Sequence, residues 1–433
     1  MTGIFSAGER PSERRLAFLI AIALTFYVGV WAIGFLPAPD GRESVREPVV
    51  SPAGDAGLYT PPIAAVAPFV ILLLSIALLP LSPATARWWD HPRYQFLVAV
   101  ALSGATLVYY LTVHPGGVAN EFTHHPGSLP GLNTVLAVLS NALLAEYLPF
   151  IALLFSLYVV SGGIHVSGNL AAHPLVNCAF LGVGALLASV VGTTGAAMIL
   201  IRPLLQANKG RTHRSHTVVF FIFVVCNCGG LLLPTGDPPL FLGYLRGVPF
   251  TWTLRLWPYW IGVNVAIIAI YYLWERRLYR AEPARNLRRD ERLATPLRLE
   301  GARNFLWLGL IVVSVAVIVP DQSLPGTPWI APPLLREAIL MVIVLLSIAT
   351  SDGAARARNG FTYHAILEVA ALFLGIFICL QVPIEILSVR GSEMGLNSPL
   401  VFFWTTGLLS SFLDNAPTYI VFFEMATALP IEA

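Results

Sequence analysis

Two short strings set oxygen ligands beside residues that break helices. The first, NCGGLLLPTGDPP over Asn227–Pro239, places Asn227, Thr235 and Asp237 among glycines and prolines. Glycine permits close backbone approach and positive φ, and proline removes a donor while suiting the first turn of a half-helix. Carbonyls freed by such a break, with a carboxylate, an amide and a hydroxyl beside them, make a donor set for a hard cation. The opposed half-helix ends suit a small anion equally. The second string, SSFLDNAPT over Ser410–Thr418, offers Asp414 and Asn415 ahead of Pro417. Each aspartate also has a plainer reading. Asp237 can cap a Pro/Gly kink, and Asp414 can be the N-cap of a returning helix. An ionised carboxylate costs about 2.5–3.5 kcal/mol at the centre of an inserted helix. Ser or Thr would cap without that cost, so the carboxylates point to a cation, a proton or a helix N-terminus that compensates them.

Weaker candidates surround these strings. Thr193 and Thr194, in the GTTG of Gly192–Gly195, offer hydroxyls that either ligate or back-bond to their own helix. Glu146 and Glu368 lie in apolar stretches, as proton relays or as helix-pairing residues. His114, His124 and His125 cluster in a polar loop and read as solvated histidines rather than metal ligands. Cys178, Cys226, Cys228 and Cys379 all fall in apolar segments without CxxC spacing and read as packing residues.

The elements that position these residues must lie in a bilayer. The 433 residues are 56% hydrophobic and 12% charged, with a mean hydropathy of +0.72, which excludes a water-soluble domain of this length. Apolar spans are predicted at 16–36, 62–82, 94–113, 137–160, 216–245, 252–273, 303–320, 332–350 and 363–384. The first is too long for a signal-peptide core and reads as a retained helix. Two further stretches, 174–207 and 398–433, carry a polar break near the middle and are expected to be re-entrant hairpins, because a broken helix at membrane depth must satisfy its backbone inside protein. With the N-terminus cytoplasmic and both stretches as hairpins, 20 of the 26 Lys and Arg fall inside and 6 outside, in line with the positive-inside rule. The loop 274–302 is then cytoplasmic and 114–135 periplasmic.

The two hairpins open on opposite sides in this scheme. A shift of 222 residues lays Glu146 on Glu368, Ser189 on Ser411 and Gly192 on Asp414, the mark of an inverted repeat. The expected division is an extra helix and periplasmic loop over 1–61, a first repeat over 62–273, a basic loop over 274–302 and a second repeat over 303–433. The second repeat has no counterpart of the broken span 216–245 after its hairpin, so it is expected to be incomplete, with one flank of that hairpin facing lipid or another chain.

At this level the pattern resembles the ion transporter superfamily of bacterial sodium/proton antiporters, arsenite pumps and divalent-anion/sodium symporters. Gly229–Pro239 is similar to its broken-helix signature, and Ser410–Thr418 to the second hairpin tip of the antiporter-like and citrate-transporter-like branch. The resemblance implies a first ion site from Thr193, Thr194, Asn227, Gly229, Gly230, Thr235 and Asp237. Asp414, Asn415 and Thr418 contribute to a second. It also implies an all-α inverted-repeat transporter in the bacterial inner membrane, with Na⁺ and H⁺ as transported ions and no cofactor. The GTTG tip departs from the Ser-Asn-Thr of the dicarboxylate branch and favours sodium/proton antiport by alternating access. The alternative is sodium-coupled symport of an organic anion such as citrate, against which stands the near absence of Lys and Arg from the spans. Expected partners are the lipid bilayer, small inorganic ions, a small organic anion on the alternative reading, and a second copy of the chain; no basic stripe suggests nucleic acid. No HExxH, GxSxG or paired aspartates suggest an enzyme. An inactive, shortened membrane protein is the expectation outside transport.

Overall fold

The computed structural model describes residues 59–429 other than 320, 321, 325, 326, 352, 395–397 and 412. The predicted span 16–36 lies outside the described residues. The longer helices are α1 (Ala67–Leu78), α2 (Pro92–Thr112), α3 (Leu132–Ser161), α4 (Pro174–Val191), α5 (Thr193–Ala207), α6 (Ser215–Val224), α7 (Pro238–Leu245), α8 (Trp257–Ala281), α9 (Ala284–Arg292), α10 (Arg303–Val317), α11 (Leu335–Thr350), α12 (His364–Arg390), α13 (Pro399–Ser410) and α14 (Asn415–Thr427). Two strands, β1 (His165–Asn169) and β2 (Thr295–Glu300), pair antiparallel. Among the described residues, six helical stretches are long and apolar enough to cross a membrane: Pro92–Thr112, Leu132–Ser161, Pro174–Val191, Ser215–Leu232, Trp252–Ala281 and His364–Arg390. The chain is an all-α, multi-pass membrane protein.

Compactness divides the chain along a different line from the sequence repeat. One unit runs over Ala152–Tyr363, and the other joins 59–151 to 364–429.

In the first unit, α4 and α5 fold back on each other around Gly192, whose φ of +84° is a conformation that glycine adopts freely. The span expected over 216–245 is broken. α6 ends at Val224, a 3₁₀ turn covers Cys228–Leu232, and α7 starts only at Pro238. Tyr244 of α7 donates to the Val315 carbonyl of α10 at 2.6 Å. The buried Asn304 amide donates to Gly163 O at 3.0 Å and its oxygen accepts from Ser347 at 2.7 Å, which ties α10 to α11 and to the end of α3. The basic segment expected as a loop over 274–302 is largely ordered. α8 extends to Ala281, α9 follows, and β2 closes on β1.

In the second unit, α12 is the central element, with buried positions along most of its length. Gly375 lets α2 approach closely, since a Cβ there would stand 2.8 Å from the Cβ of Ala99. Small residues do this between membrane helices, where van der Waals packing replaces the hydrophobic drive. α3 contains a π-helical segment, Asn141–Tyr147, between two α-helical stretches. α13 and α14 form a second helical hairpin, and Phe422 and Met425 of α14 pack on Leu387 of α12.

Candidate functional site

In the first unit the tip of the α4–α5 hairpin meets the broken helix. The Thr193 N–H donates to Gly236 O at 3.0 Å, and Thr235 Oγ1 donates to Val190 O at 3.1 Å. Ser189 Oγ donates to Gly229 O, which also accepts the Trp260 indole N–H at 3.0 Å. The glycines are required by this closeness. A Cβ on Gly230 would stand 2.8 Å from Gly236 O, and one on Gly236 would stand 2.1 Å from Gly230 O. Thr193 and Thr235 are buried at 7% and 3% exposure, and Asp237 is half-buried at the N-cap position of α7. The first turns of α5 and α7 therefore face one locality at Gly236. Each brings the positive end of a helix dipole, which favours an anion; α7 adds the dipole alone, because Pro238 and Pro239 carry no N–H and the Leu240 and Phe241 N–H groups both go to Asp237 O. The same locality holds two buried hydroxyls, glycine carbonyls and a carboxylate, which are hard oxygen donors for a small cation.

Of the residues expected at a first site, Thr193, Gly229, Gly230, Thr235 and Asp237 are brought together. Thr194 points to the surface one position on. Asn227 is exposed, with its amide donating to Ile222 O of the preceding helix α6 at 3.0 Å.

The second unit holds the other candidates. Asp414 Oδ1 accepts the Ala416 N–H at 2.9 Å, so the carboxylate caps α14. Thr418 Oγ1, buried at 2% exposure, donates to Asp414 O at 2.9 Å. Ser410 Oγ donates to Asn415 Oδ1. Asp414 and Asn415 are exposed. Glu146 is buried within the π segment of α3, a local structure common at functional sites. Glu368 accepts from the fully buried Gln95 at 2.6 Å. The helices carrying these two glutamates meet where Tyr147 donates to Ala370 O at 3.0 Å and the Phe150 and Phe373 rings stack at 4.7 Å.

His114 corrects an expectation. It is not solvated but 4% exposed, with Nε2 2.8 Å from the Glu385 carboxylate of α12. A carboxylate 271 residues away draws it out of the loop, and adjacent sequence carries no sign of that. Arg336 is a further residue that sequence reasoning passed over. It is 1% exposed in the first turn of α11, donates to Glu337 at 2.9 and 2.6 Å, and lies over the Phe241 and Tyr244 rings of α7 at 5.6 and 5.8 Å. The adjoining Arg-Glu pair at the head of an apolar run was the available signal, because a buried charge needs a partner at hand.

Helices of membrane length, a helix broken at glycine and proline, and a hairpin tip fitted into that break define a multi-pass membrane transporter. The chain matches the family described as "Putative citrate transport" over residues 59–433, and it belongs to that family. No curated protein and no solved structure matches it.

Proposed function

We propose that the chain is a secondary transporter that moves a small organic anion of citrate type together with a cation. One observation carries this reading: the first turns of α5 and α7 face the same locality at Gly236. The positive dipole ends of two helices favour a carboxylate there without a membrane Lys or Arg, and family membership points the same way. On this reading the hydroxyls of Thr193 and Thr235, the glycine carbonyls and Asp237 serve the cation. The distribution of Lys and Arg supports an inner-membrane setting with a cytoplasmic N-terminus. Sodium/proton antiport is the second reading, favoured by two carboxylates, Asp237 and Asp414, at helix N-cap positions.

Proteoliposomes separate the two. Labelled citrate and an internal pH dye are followed together under an imposed Na⁺ gradient, and then under a pH gradient. Gradient-driven citrate accumulation supports the symport reading. A Na⁺-driven pH change with no citrate present supports antiport instead. Absence of both responses rejects both.

A further inference from the structure

At the far end of α5 from Thr193 lies a cavity of about 860 Å³, in the size range of small-molecule sites. Its walls come from separate parts of the first unit: α5, the segment that follows it, the β1–β2 pair and Arg358. Arg202, Lys209, Arg214, Arg358 and His165 line it, and none of its lining residues is acidic. Arg358 is held by the Glu300 carboxylate, and Arg202 donates to the Arg358 carbonyl. Among the described residues, Arg202, Lys209 and Arg214 have no carboxylate partner. Three exposed cations thus line one open polar cavity with no carboxylate beside them among the described residues. A second basic cleft, lined by Leu273, Arg276, Arg277, Arg280 and Ala281, shows the contrast: those residues all belong to α8, so the cleft is one helix's solvated face.

We propose that the α5/β1–β2 cavity is a binding site for a phosphate-bearing anion. Guanidinium forks and an ammonium match phosphate oxygens in charge and geometry. Basic pockets at the ends of membrane helices take phosphates from lipid headgroups, and a soluble phosphate compound presents the same chemistry. Arg202 stands on the helix whose first residue is Thr193. A bound anion therefore ties the base of the α4–α5 hairpin to the β1–β2 strand pair and restrains the element that presents the tip. This site is distinct from the locality at Gly236 and stands whichever transport reading holds.

The test uses the full chain in nanodiscs, with thermal unfolding as readout and two arms. In phosphatidylcholine discs inorganic pyrophosphate is titrated. In the other arm phosphatidylglycerol replaces part of the phosphatidylcholine, with no pyrophosphate added. Saturable stabilisation by pyrophosphate assigns a soluble source, and stabilisation by phosphatidylglycerol assigns a headgroup. In the arm that responds, the single variants Arg202→Gln, Lys209→Gln and Arg214→Gln each weaken the response, by about tenfold per charge-assisted contact. The control Arg276→Gln/Arg277→Gln/Arg280→Gln leaves it unchanged. The proposal is overturned if the control loses as much as the cavity variants, or if neither probe stabilises the protein. It is also overturned if citrate binds these residues more tightly than pyrophosphate, which would make the cavity part of a carboxylate path.

Discussion

The two helical hairpins share a layout and differ in what satisfies their tips. In α4–α5 the tip is closed by a different segment: Gly236 O takes the Thr193 N–H, and Val190 O takes the Thr235 hydroxyl. The arms are buried against neighbours, to the point that a Cβ on Gly184 would stand 2.5 Å from Val225 and one on Gly195 would stand 2.6 Å from Ser161. In α13–α14 the tip is closed by its own side chains, with Asp414 on Ala416 N and Ser410 on Asn415. No residue of α13 is buried, and Phe403, Trp404 and Leu408 stand 69%, 68% and 67% exposed. A hairpin tip can thus be stabilised by a neighbouring break or by a capping side chain. Only the first holds donors from several elements in one preorganised place.

The largest expected effect breaks that place directly. Gly236→Ala drives a methyl group into Gly230 O. Overpacking of this kind costs roughly 1–3 kcal/mol, and transport in proteoliposomes should fall at least about tenfold, since this shift is in the backbone of the site. Gly407→Ala in α13 meets nothing within 4 Å, so it should be neutral or gain up to about 1 kcal/mol from helix propensity. Thermal unfolding of both variants in detergent checks the pair, and a Gly236→Ala protein as stable and active as wild type would remove the distinction between the hairpins.

Next in size come the carboxylates, Asp237→Asn and Asp414→Asn. Asn ranks with Asp as an N-cap, so both variants should insert and fold while cation-coupled transport is lost. Asp414→Ala should in addition cost about 1 kcal/mol through loss of the cap. Normal transport by Asp414→Asn would leave that residue as a cap alone.

Much of the fold was legible because the bilayer imposes it. The apolar runs at 94–113, 137–160, 252–273 and 363–384 correspond to Pro92–Thr112, Leu132–Ser161, Trp252–Ala281 and His364–Arg390, and Gly and Pro between Gly229 and Pro239 mark the break between α6 and α7. The candidate site was legible only to the level of strings. Thr193 and Thr194 are neighbours in GTTG, yet successive positions on a helix face directions about 100° apart, and only Thr193 is buried. Asn227 turns back to the preceding helix α6 at Ile222. His114 with Glu385, and β1 with β2, depend on partners more than a hundred residues away, which no local pattern encodes.

A smaller effect asks whether the first hairpin is tied at its base as well as its tip. Glu282 accepts from Thr212 N at 3.0 Å, Thr212 Oγ1 at 2.7 Å and Asn286 at 2.7 Å, with the Arg211 Nε 3.6 Å away. Burial pushes its pKa up, but these donors and the guanidinium outweigh it and hold the carboxyl below the ordinary glutamate value. A pKa lower in the folded state contributes stability above the unfolded value, about 4.3, and that contribution is lost as pH falls below it. Protection against hydrogen exchange in 208–214, measured relative to the intrinsic rate at each pH, should therefore fall on acidification through this range. Glu282→Gln should show low protection already at neutral pH and a flatter profile of protection against pH; an unchanged profile would detach this glutamate from the hairpin base.

The smallest effect is the finest probe, because it uses two serines that the 222-residue shift superposes. Ser189 is buried at 3% exposure and bridges from α4 to Gly229 O of the break. Ser411 is exposed and back-bonds to Gly407 O, four residues earlier, at 2.8 Å, a bond that adds little to a helix. Ser189→Ala removes a bond between elements, worth about 0.5–1.5 kcal/mol. The lower end is expected, because Gly229 O keeps the Trp260 indole donor. Ser411→Ala should change stability by less than about 0.5 kcal/mol, as surface substitutions do. Adding Trp260→Phe to Ser189→Ala leaves the Gly229 carbonyl without either side-chain donor, so the double variant should lose more than the sum of the singles, by the cost of an unsatisfied buried acceptor, about 1–3 kcal/mol. Additive losses would mean that the Gly229 carbonyl finds water or another donor once Ser189 and Trp260 are gone, and the tip of the first hairpin would then be no better enclosed than that of the second.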